Sequence, residues 1–155
     1  MQPARLVDFG VALAACVPSL VFVSLRGDPL YLGLWYYIVV PAVLLIVAAC
    51  LRPPLYLVAG IGVGTAVTFI PYWYVQMTAA RPEGLLGLGH LFGLPGVALG
   101  TVASVVLARR STATFRLAPF LIGLTGCLAG FALGQLVICN TLMWCGPILS
   151  AALSR

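Results

Sequence analysis

Five long apolar runs, each ended by a short polar or proline-bearing stretch, make up most of this chain. They cover Phe9 to Leu25, Leu34 to Leu51, Leu55 to Met77, Leu88 to Ala108 and Leu117 to Ile138. Each run is near the ~20 apolar residues that carry an α-helix across a bilayer, so the pattern predicts five transmembrane helices. The breaks carry turn chemistry: Arg26-Gly27-Asp28-Pro29, Arg52-Pro53-Pro54, Arg81-Pro82-Glu83-Gly84 and Arg109-Arg110-Ser111-Thr112. A last stretch, Asn140 to Ser154, is short for a span and contains Gly146 and Pro147. It reads as a re-entrant or interfacial segment or an extension of the fifth helix, so four to six spans bound the count.

Composition turns the pattern into a statement about solvent. Of 155 residues 63% are hydrophobic, and 8 basic plus 3 acidic side chains are all the formal charge there is. A water-soluble surface needs roughly a quarter of its residues charged, so the solvent is lipid. Five spans take up about 100 positions, which leaves no water-facing catalytic domain. The predicted fold is an all-α polytopic membrane helix bundle, a single transmembrane domain over residues 1–155.

All basic residues are arginine, which suggests a GC-rich coding sequence and a bacterial source. The net charge of +5 is scattered singly between apolar runs, a topological signal and not a nucleic-acid footprint. A cytoplasmic N-terminus puts Arg5, Arg52, Arg109, Arg110 and Arg116 inside and Arg26, Arg81 and Arg155 outside. The positive-inside rule therefore predicts a multi-pass protein of the cell inner membrane with its N-terminus in the cytoplasm. Leu13-Ala14-Ala15-Cys16 has the form of a lipobox, but Asp8 interrupts the apolar region before it and Val17 to Val23 stays hydrophobic after it. An uncleaved first helix is the expectation.

Small residues four apart mark faces where membrane helices approach closely. The third run carries Gly60, Gly64 and Thr68, the fourth Gly96, Gly100 and Ser104, and the fifth Gly126, Gly130 and Gly134. The third to fifth helices are thus predicted to form the tight core. Each run also contains one proline: Pro18, Pro41, Pro71, Pro95 and Pro119. Proline is tolerated in buried membrane helices, and tolerance is the reading preferred here over a transport kink.

Candidate chemistry is sparse. Asp8, three residues after Arg5, reads as half of a local ion pair, and His90, near the outer end of the fourth run, as an interfacial hydrogen-bond partner. These two are the candidate polar site, because an intramembrane ionisable group is the usual mark of an ion path. One histidine, three dispersed carboxylates and no CxxC or HExxH spacing give no metal site, no cofactor and no catalytic set. Cys16, Cys50 and Cys127 lie within apolar runs as packing residues, whereas Cys139 and Cys145 lie at the outer end and are candidates for a disulfide. Trp35-Tyr36-Tyr37 and Tyr72-Trp73-Tyr74 fall where an aromatic belt is expected.

The functional expectation is a non-catalytic membrane protein that acts by protein–protein contact within the bilayer. Its partner is another membrane protein, served as an accessory subunit, or a membrane-acting toxin, met as an immunity protein. Membrane lipid surrounds it, and nucleic acid is excluded. A small channel or transporter for an ion or solute is the alternative, and a membrane enzyme ranks last.

Overall fold

The computed structural model describes residues 3–28, 30–78, 86–111 and 115–141. They form five α-helices, α1 (Pro3–Arg26), α2 (Leu34–Cys50), α3 (Leu57–Thr78), α4 (Leu86–Arg110) and α5 (Ala118–Thr141), with no strand among the described residues. Four are long and apolar enough to cross a membrane; α2, with 17 residues, is shorter at about 25 Å. The protein is an all-helical, multi-pass membrane bundle. Its helices continue through Pro18, Pro41, Pro71 and Pro95, and Pro119 falls in the first turn of α5, where its missing N–H is not needed.

Contacts between helices fix their directions. Asp8 in α1 meets Tyr56 and Ala59 at the start of α3, and Gly62 lies against Ala12 one turn on, so α1 and α3 run parallel. Gly60 approaches Phe120 and Gly64 approaches Cys127, so α5 runs with α3. The pairings of Gly96 with Gly130 and of Gly100 with Gly126 make α4 antiparallel to α5. Tyr36 at the start of α2 touches His90 near the start of α4, and the guanidinium of Arg109 donates to the Leu51 and Arg52 carbonyls at the far end of α2. Short as it is, α2 therefore reaches from one end of the bundle to the other beside α4. The start of α1 and the end of α5 lie at opposite ends.

Burial is inverted relative to a soluble domain. Leu99, Leu107, Leu133 and Val137 point outward, while Asp8, Ser19, Thr65, Thr68, His90, Thr101, Ser104 and Gln135 are buried. Lipid solvates the aliphatic side chains as well as the interior does, so packing and hydrogen bonding decide what goes inside. Helix α5 makes its closest approaches on two faces. A Cβ on Gly100 would come within 2.2 Å of the Gly126 carbonyl oxygen, and one on Gly130 within 2.3 Å of the Gly96 carbonyl oxygen. Toward α3, a Cβ on Gly60 would come within 2.1 Å of the Phe120 carbonyl oxygen and one on Gly123 within 2.6 Å of that of Leu57. Each distance is far below van der Waals contact, so these backbones meet only because the side chains are absent.

Candidate functional site

His90, in the second turn of α4, is fully buried at the meeting of four helices. Its Nδ1 lies 2.7 Å from the Tyr36 hydroxyl of α2, and its Nε2 lies 3.0 Å from Thr68 Oγ1 of α3. Thr68 Oγ1 donates its one proton to the Thr65 carbonyl at 2.7 Å and can only accept from the imidazole. Nε2 therefore carries the hydrogen, and Nδ1 accepts the O–H of Tyr36. Phe69 stacks on the ring with centroids 4.5 Å apart, Tyr72 meets it edge-on at 5.1 Å, and Phe131 of α5 lies at 5.3 Å. Beside this cage Gln135 Nε2 donates to the Gly89 carbonyl at 2.7 Å, tying α5 to the turn that carries His90.

This corrects the expectation of an interfacial histidine. The ring is walled in, because α4 turns residue 90 toward α3 while α2 and α5 close over it. Both nitrogens are occupied by hydroxyls, which leaves no lone pair for a metal ion or for proton abstraction. Among the described residues no three His, Cys, Asp or Glu side chains gather into a metal-binding group.

Asp8 departs from expectation as well. Its carboxylate accepts the Tyr56 N–H at 3.0 Å and the Ala59 N–H at 2.8 Å, and it is buried. Ala59 lies in the first turn of α3 and Tyr56 just before it, where N–H groups have no partner within the helix. Asp8 therefore caps α3 from α1, in the favourable field of the helix N-terminus, and its hydrogen bonds go to these amides while Arg5 acts on it through its charge. Asp8 and His90 serve separate sites at opposite ends of the bundle.

A third polar centre was missed in the sequence. Asp28 accepts the Leu30 N–H at 3.0 Å, the Gly33 N–H, and the Tyr37 hydroxyl at 2.8 Å, organising the α1–α2 connection. The available signal was an Asp five residues before a glycine at a helix start, an arrangement that suits a carboxylate gathering backbone donors. Tyr36 and Tyr37 are thus interior residues and not belt residues; Trp35 and Tyr74 remain exposed. A helix turns successive side chains by about 100°, so an aromatic triplet cannot face the headgroups as a unit.

The glycines of the three small-residue ridges meet as close pairs: Gly60 and Gly64 face α5, and Gly96 and Gly100 face Gly126, Gly130 and Gly134. Thr68, which continues the first ridge, turns its hydroxyl to His90 instead. Cys16, Cys50 and Cys127 are free thiols, and Cys139, buried near the end of α5, is disulfide-bonded. Cys145, expected to pair with it, lies outside the described residues, as do Arg81, Arg155 and the stretch after Thr141. Compared with protein-family models, curated proteins and solved structures, the chain matches none of them significantly.

Proposed function

We propose that this is a non-catalytic protein of the bacterial inner membrane that works by contact with another protein inside the bilayer, as an immunity protein against a membrane-acting toxin or as an accessory subunit. The observation that carries the reading is the saturation of His90. The histidine that would serve an ion or proton path is locked between two hydroxyls and an aromatic wall. Asp8, the other candidate, is held by two backbone amides. A group that relays protons or coordinates ions needs a free lone pair; both nitrogens of His90 are engaged, and the Asp8 oxygens are committed to the start of α3. The gathering of Arg5, Arg52, Arg109, Arg110 and Arg116 at one end of the bundle supports a cytoplasmic N-terminus.

The experiment is reconstitution into liposomes loaded with pH- and potassium-sensitive dyes. The expected result is no proton, cation or small-solute flux above that of empty vesicles. Flux that disappears with His90→Gln would overturn the reading in favour of a transporter.

A further inference from the structure

The outer face of the α4–α5 pair holds a groove of about 720 Å³, within the roughly 300–1,000 Å³ typical of small-molecule sites. The glycine crossing is its floor, and the largely exposed Leu99 and Leu133 stand at its walls. Along α5 it extends from Ile122 to Ile138, about 24 Å at the helical rise. Its hydroxyls are turned away from an occupant: Ser104 Oγ donates to the Gly100 carbonyl at 2.8 Å and Thr125 Oγ1 to the Leu121 carbonyl at 2.7 Å. A groove of this kind selects hydrocarbon.

The charge at one end says which hydrocarbon. Leu107 lines the groove, and Arg110, three residues later, continues the same stripe of α4. Arg116 lies just before α5, whose first turn has no acidic side chain to offset it. Both arginines are exposed, whereas Arg109 is directed to the α2 carbonyls. The apolar slot therefore runs toward the end of the bundle where α4 stops and α5 begins, the end that carries the exposed Arg110 and Arg116.

We infer that this groove binds an anionic glycerophospholipid, with an acyl chain along the glycine floor and the phosphodiester between Arg110 and Arg116. A zwitterionic lipid offers the same tail but carries an ammonium that these cations repel. A helix from a second copy would cover the floor without using either arginine. Basic pockets between membrane helices bind anionic headgroups in this manner. The inference does not depend on the function proposed above.

The test uses the full chain in a neutral detergent, titrated with dioleoyl phosphatidylglycerol. Dioleoyl phosphatidylcholine is the neutral-headgroup control, and glycerol 1-phosphate the headgroup without tails. Binding is read by native mass spectrometry. Each arginine near the headgroup is worth about five-fold in affinity, so phosphatidylglycerol is expected to bind roughly 25-fold more tightly than phosphatidylcholine. Arg110→Gln with Arg116→Gln should remove that preference, and Ala129→Trp, which fills the groove from an exposed position, should remove binding. Circular dichroism checks that each variant is folded. For the unaltered protein, phosphatidylglycerol carrying a photoactivatable acyl chain should label α4 and α5. Equal affinity for the two lipids overturns the inference, as does a preference that survives the arginine pair or the tryptophan. So does glycerol 1-phosphate binding as tightly as the lipid, label confined to other helices, or a dimer that excludes the label.

Discussion

At the scale of single residues, His90 and Asp8 each make a distinct prediction. His90→Leu leaves the Tyr36 hydroxyl buried without its partner, a loss of about 1–3 kcal/mol. Removing both partners, as His90→Leu with Tyr36→Phe, should destabilise less than the sum of the single changes, read from unfolding equilibria in mixed micelles. Strict additivity would show that the pair does not interact. For Asp8, alanine removes both acceptors from the start of α3 and should cost about 0.5–2 kcal/mol. Asn keeps one acceptor and should fall between. Hydrogen exchange at the Tyr56 and Ala59 amides should accelerate in the order wild type, Asn, Ala; unchanged exchange would refute the cap.

At the scale of helices, stability depends on where backbone meets backbone. A Cβ on Gly130 would come within 2.3 Å of the Gly96 carbonyl oxygen, so Gly130→Leu must push α4 from α5. The expected cost is on the order of 1–3 kcal/mol from overpacking, seen as a lower melting temperature and less monodisperse protein. Gly10 is the matched control, since nothing lies within 4 Å of a Cβ built there. Gly10→Ala should leave melting unchanged or raise it slightly through helix propensity. If the two substitutions behaved alike, glycine content and not close approach would explain the ridges. A side chain fixes α2 in turn: the Leu51 and Arg52 carbonyls, just past its last residue, are taken by Arg109, which ties a short helix to the full depth of its neighbour.

At the scale of the whole molecule, five alternating helices leave the arginines unequal between the two ends. The proposed orientation predicts that a reporter fused after Ser111 reads cytoplasmic and one fused after Thr78 reads periplasmic. The reverse pattern would invert the bundle and with it the leaflet from which the groove draws its lipid. It would leave the packing untouched, because helix contacts are indifferent to which side is which.

Much of the architecture was legible in the sequence because the bilayer tests residues one at a time. Each apolar run had to be long enough to cross, each break had to carry turn residues, and each glycine ridge had to recur every fourth position; none of these conditions refers to another part of the chain. The described helices accordingly follow the five runs, although α1 begins at Pro3 and not at Phe9 and so takes Asp8 inside a helix. The polar centres were legible only as isolated letters. His90 finds Tyr36 across 54 residues, and Asp8 finds Ala59 across 51. Which hydroxyl or amide a buried polar group meets depends on the rotation of each helix about its axis and on the height at which helices cross. Those quantities are set by the combined packing of all five helices, so only the tertiary structure could decide that His90 is an interior tie and Asp8 a cap.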